Sequence, residues 1–284
     1  MVELNKVKAN GKSIVLDNGV ELTYCELGEE HEEVVLSAAF YHHTWYPVLE
    51  GLAERYHVYG IVMRIDGEKE HPDQFTQFLD SGEVDWPNQW GEDVYNFSQK
   101  LGLTKFHYVG KCHSTQPGWW LIKNHPEVLY DFCSFYLAPH ILERSDNEWT
   151  NYPKRNGAAA FSLRCMRKES GVAKKAEEMK TLGPSASASP AVGYMAERPE
   201  LLWPSIDECK KTLSEISLPV MLVFGTDDLL FHDWYDSNLA VMQLIPRVKT
   251  VLIQGERHLM EMDCPKRMAR EALFFMDENR LPDC

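Results

Sequence analysis

Phe106-His107-Tyr108-Val109-Gly110-Lys111-Cys112-His113-Ser114-Thr115 is the stretch on which the reading of this chain turns. A β-rich run enters a glycine, a spacer, a nucleophile-type residue, a second spacer and a small residue. A helical pattern then covers His113–Asn124 and stops before Pro126. That spacing suits a sharp strand-to-helix turn, which lifts one side chain above a sheet. At a helix N-terminus, free N–H groups and the positive end of the dipole favour negative charge. A thiol placed there has a lowered pKa and a larger thiolate fraction. Most free cysteines are inert packed thiols, so it is position rather than residue type that singles out Cys112.

On the N-terminal side, Ser13–Leu16 and Val20–Cys25 flank Asp17-Asn18-Gly19 and read as a hairpin, since Asn-Gly supplies the positive-φ positions of a tight turn. A buried strand is expected at Val34–Phe40. Trp45, Val48, Leu49 and Leu52 have helical spacing within Trp45–Arg55, and His57–Met63 is the next strand. A loop rich in Gly, Pro and Asp reaches Pro87, and Asn88–Leu101 reads as a helix.

On the C-terminal side come strand Asp131–Leu137, strand Pro219–Phe224, helix Trp234–Ile245, strand Val248–Ile253 and helix Pro265–Asn279. Strands alternating with helices imply parallel strands joined by crossovers. The predicted fold class is α/β, a mostly parallel, doubly wound, eight-stranded sheet with a helical cap inserted after the sixth strand. Residues 1–138 and 219–284 form the core in this reading, and 139–218 form the cap. The insert has helix-like pieces at Ala173–Lys180 and Ile206–Leu213. Its aromatic residues, among them Trp149, Tyr152, Tyr194 and Trp203, either roof an apolar pocket or pack the cap onto the core.

The 284 residues are 44% hydrophobic and 25% charged, ordinary for a globular protein, with a net charge of −14. Phosphate binding needs clustered Lys and Arg, so this balance argues against nucleic acid and anionic membrane as partners. Seven scattered cysteines, with no Cys-x-x-Cys pair, form neither a disulfide framework nor a zinc ribbon. Met1–Gly11 is polar, unlike a signal peptide, and no apolar run approaches the roughly 20 residues that span a bilayer. A cytoplasmic protein with a small-molecule substrate, no metal and no cofactor is expected. The oligomeric state is left open, a homodimer being one option.

The opening stretch resembles the nucleophile elbow of the α/β-hydrolase superfamily, normally Gly-x-Ser-x-Gly, and the likeness runs on to His125-Pro126-Glu127 at the helix end. Cys112 stands in place of the serine, as in dienelactone hydrolases, and Ser114 in place of the second glycine. Pro219–Asp228 is similar to the family segment ending in Gly-x-x-Asp. This implies that Asp228 orients the catalytic histidine, with Asp227 as second choice. Val251–Met260 is similar to the late Gly-x-x-His segment, which implies that His258 acts as general base and then general acid.

The same resemblance implies an oxyanion hole with one backbone N–H from His113. The other would come from the loop after the third strand, which in the family starts with His-Gly. Aligning on Trp45 puts Ser37-Ala38 at that dipeptide and makes Ala39 or Phe40 the donor. Tyr41, His42, His43 and Trp45 would then face the substrate. Adjacent histidines are poor chelators, which disfavours a metal held by His42, His43 and His113.

The implied activity is hydrolysis of an ester or lactone of a small, apolar or aromatic substrate, by a Cys-His-Asp triad through a thioester. One alternative is carbon–carbon bond hydrolysis or lysis on the same scaffold, since a fold does not fix a chemistry. The other is a non-catalytic ligand-binding homologue.

Overall fold

The computed structural model describes residues 11–39, 42–63, 86–136, 138–139, 141–142, 202–227, 234–258 and 260–280; at 42, 43, 86, 87, 234, 235 and 237 only the backbone is described. The strands are β1 (Lys12–Val15), β2 (Glu21–Leu27), β3 (Val34–Ala39), β4 (His57–Val62), β5 (Phe106–Lys111), β6 (Leu129–Phe135), β7 (Val220–Gly225) and β8 (Val248–Ile253). They form one eight-stranded sheet in the order β1-β2-β4-β3-β5-β6-β7-β8. The β1–β2 hairpin pairs antiparallel, with Lys12 opposite Tyr24, and β2 pairs antiparallel to β4. The strands from β4 to β8 run parallel.

The helices are α1 (His42–Leu52), α2 (Trp86–Lys100), α3 (Gln116–Asn124), α4 (Ile206–Glu215), α5 (Trp234–Leu244), the short α6 (Met260–Asp263) and α7 (Pro265–Glu278). The period of two along each strand divides the side chains between two layers. Tyr108, Phe132, Leu222 and Phe224 belong to a cluster with Trp90, Trp119 and Val241 from α2, α3 and α5. Val109, Cys133, Met221 and Val223 pack with Trp45, Leu49, Met268 and Phe275 from α1 and α7. Trp119 sits edge-on to Phe132 with centroids 4.9 Å apart, so it packs on the sheet.

Residues 202–218, expected in the cap, pack closely on the sheet. Leu202, Trp203, Cys209, Leu213 and Ile216 are buried in the same cluster as Phe132 and Val220. Ile206, Cys209 and Leu213 share one stripe of α4, the helix described between β6 and β7. Ser205 caps that helix by accepting the Glu208 N–H at 3.2 Å. The helix expected at His113–Asn124 starts as a 3-10 turn, Cys112–Thr115, and becomes α-helical only at Gln116. Ala173–Lys180 and the aromatics of 143–201 lie outside the described residues. Among the described residues, no helix is long and apolar enough to cross a membrane.

Candidate active site

The turn after β5 is built by three small side chains. A Cβ on Gly110 would lie 2.4 Å from the Ser114 carbonyl oxygen and 2.8 Å from Thr115 Cα, so only glycine lets the helix start this close to the strand. Ser114 makes its own contribution. Its Oγ accepts the Lys111 N–H at 2.9 Å and donates to the Lys111 carbonyl at 2.8 Å. Thr115 Oγ1 donates to the Cys112 carbonyl at 2.8 Å, and Tyr108 Oη to the Ser114 carbonyl at 2.8 Å. Serine at 114 thus fastens the turn rather than loosening it. Held this way, Cys112 has φ 48°, a region that non-glycine residues enter only when surrounding structure compels them.

His258 arrives on the loop after β8. This loop is stitched to the loop after β7, since Asp227 N–H donates to the Glu256 carbonyl at 2.9 Å and Gly255 N–H to Thr226 Oγ1 at 2.8 Å. A Cβ on Gly225 would meet that same Glu256 oxygen at 2.3 Å. His258 is buried and its Nε2 lies 3.2 Å from Cys112 Sγ. Burial pushes the Cys112 thiol up, but the His258 and His113 imidazoles more than offset it and bring the pKa down from 9.0 to about 6. Burial pushes Cys25 and Cys209 up to about 11 and about 12, and holds Cys133 well above the ordinary value. The setting of Cys112 thus favours its thiolate form.

The other expected residues fall as follows. Asp228, Phe40 and Tyr41 lie outside the described residues, as do the side chains of His42 and His43. Asp227, the second choice for the acid, is exposed, and its carboxylate accepts from Thr226 Oγ1 at 3.2 Å. His113 follows Cys112 in the 3-10 turn and is buried. Ser37, Ala38 and Ala39 are the last residues of β3 rather than the start of a loop, which puts the strand end three residues later than the alignment on Trp45 implied. Trp45 is fully buried, its Nε1 donates to Ser37 Oγ at 2.8 Å, and its ring meets Phe135 edge-on. Ser37 Oγ in turn donates to the Val109 carbonyl at 2.6 Å.

Three further residues surround the pair. Lys111, on the same strand face as Val109, buries its ammonium 2.5 Å from Glu261 Oε1 and donates to Thr44 Oγ1 at 3.1 Å. Tyr136 Oη donates to Glu261 Oε2 at 2.5 Å and accepts the Glu261 N–H at 3.0 Å. The Tyr136 ring lies 4.8 Å from that of His258. Sequence reading passed over all three. Lys111 looked like a spacer, and the 150 positions between it and Glu261 carry no local signal.

At the opposite, N-terminal ends of the strands, His107 Nδ1 pairs with Asp131 Oδ1 at 2.9 Å beside a cavity of about 410 Å³. Lys105, Glu33 and Arg247 also line it, and among the described residues no serine or cysteine does. Among the described residues that His–Asp pair has no nucleophile beside it in the cavity, whereas His258 has Cys112.

No family model matches the chain, and no curated protein matches it in sequence. Solved structures do match. A thermophilic esterase from Thermogutta terrifontis superposes over 95% of this chain and 99% of that one, with TM-score 0.67 and 16% identity. The enol-lactonase from Burkholderia xenovorans superposes over 94% and 100%, with TM-score 0.67 and 14% identity. A bromoperoxidase from Bacillus anthracis gives TM-score 0.69 and 14% identity over 94% and 99%. The chain has the α/β-hydrolase fold. Within the α/β-hydrolase fold, Cys112 stands just past the C-terminal end of β5 and His258 past that of β8, the sheet edge where open α/β folds gather ligands.

Proposed function

We propose that this chain is a carboxylic ester or lactone hydrolase that uses Cys112 as nucleophile and His258 as base and acid, with Asp228 as the residue that orients His258. The observation carrying this reading is the buried thiol 3.2 Å from His258 Nε2 with its pKa brought down to about 6. The esterase and enol-lactonase among the structural neighbours support the same class of substrate.

The Cys112 thiolate attacks the carbonyl carbon, and a C–S bond forms as the C–O bond breaks. The leaving alkoxide takes its proton from the His258 imidazolium. Water then gives a proton to His258 and attacks the thioester, and the C–S bond breaks to release the carboxylic acid. The backbone N–H of His113, together with that of Ala39 or Phe40, would stabilise the oxyanion in both steps. A thiolate that exists beforehand suits activated acyl groups, so aryl or enol esters and lactones of small, apolar or aromatic acids are the favoured substrates.

Assay of aryl esters, lactones and vinylogous diketones tests this. Turnover of the first two, abolished by Cys112→Ala, is expected. Cleavage of the diketones alone would move the reading to carbon–carbon bond hydrolysis, and absence of turnover throughout would leave a ligand-binding protein.

A further inference from the structure

We propose that Lys111, Glu261 and Tyr136 are positioning residues that lock His258 against Cys112; this rests on the hydrolase reading above. Lys111 is the last residue of β5 and immediately precedes the nucleophile. Its buried ammonium joins two other parts of the site, reaching Thr44 on α1, which follows the expected oxyanion loop, and Glu261 on α6, three residues beyond His258. The histidine loop is thereby tied to the elbow by a charge pair with side-chain exposures of 5% and 1%. Tyr136, the residue just after β6, completes the tie, using one hydroxyl both to donate to the Glu261 carboxylate and to accept the Glu261 backbone N–H.

Backbone geometry points the same way. Cys112 and Tyr136 are the two non-glycine residues with positive φ among the described residues, at 48° and 79°. Both touch His258, one through sulfur at 3.2 Å and the other through its ring at 4.8 Å. Strain of this kind persists only where its surroundings impose it. A buried ion pair gives little net stability compared with apolar residues of similar volume, so its retention fits a role in fixing geometry. Placement matters here because a displacement of about 1 Å in a reacting group can cost on the order of 100-fold in rate.

The double variant Lys111→Met/Glu261→Met separates positioning from packing. It removes one charge of each sign, so the direct field on the thiol largely cancels and any shift in the thiol reports the position of His258. Expected are a Tm within about 4 °C of the parent, an alkylation midpoint for Cys112 raised by about one unit or more, and kcat lowered at least about tenfold with little change in KM. A folded double variant with the parent's midpoint and kcat would overturn the proposal. Should that variant not fold, Tyr136→Phe decides, since it keeps the ring and every charge. It is expected to raise the midpoint and lower kcat, and parental values for both would likewise overturn the proposal. The parent's own profile keeps the two readings apart: a parent midpoint at the ordinary thiol value removes the hydrolase reading itself, whatever the variants do.

Discussion

His258 Nε2 stands 3.2 Å from Cys112 Sγ, and the cysteine reaches it from a backbone bent to φ 48°. The two residues are 146 positions apart in sequence, so the contact exists only because β5 and β8 end at the same sheet edge. An inert packed thiol needs neither the strain nor the imidazole.

Replacing His258 by Gln removes the foremost of the groups that hold the thiol down. The alkylation midpoint of Cys112 should climb from about 6 toward or beyond the ordinary 9.0, and ester turnover should fall about 10²–10⁴-fold. The rate of iodoacetamide labelling against pH checks the first, and steady-state assay checks the second.

The pH dependence of turnover follows from the direction of the same shift. The thiol pKa is lowered, so the reactive thiolate is present at neutral pH and is lost on acidification. Activity is expected to hold near pH 7 and to fall as pH drops through about 6. An acid limb nearer 9 would mean that the thiol is not paired as described.

Gly110→Ala forces a Cβ to within 2.4 Å of the Ser114 carbonyl oxygen. Backbone must shift to accept it, and a loss of about 1–3 kcal/mol is expected, measurable by urea unfolding. Ser114→Ala adds no bulk but removes two hydrogen bonds across the turn. A smaller cost of about 1 kcal/mol is expected there.

Much of the fold was legible in sequence because its signals are local. The Asn-Gly hairpin, the apolar runs of β5 and β7 and the Gly110–Cys112 spacing each lie within a few residues. All eight strands fall within a few residues of their expected places. What local pattern could not show was side-chain destination. Trp45 was expected to face the substrate, yet its indole N–H has a buried partner in Ser37. Residues 202–218 looked like cap, yet the stripe Ile206, Cys209, Leu213 meets the sheet. Lys111, Glu261 and Tyr136 come from three separate segments, and only the sheet brings them together.

The role of Trp45 is itself testable. Ser37→Ala leaves the buried indole N–H without its acceptor, and a destabilisation of about 1–3 kcal/mol is expected. A substrate-facing Trp45 would instead give a change in KM with stability intact, read from paired unfolding and kinetic measurements.

The central claim is that Cys112 is the nucleophile, and limited iodoacetamide labelling at pH 6.5, with peptide mapping of all seven cysteines, tests it most directly. With its pKa at about 6, Cys112 is expected to label first and to lose activity in step with labelling, while Cys25 and Cys209, at about 11 and about 12, stay unmodified. Labelling of Cys112 no faster than the other cysteines, with the activity of Cys112→Ala equal to the parent's, would contradict it.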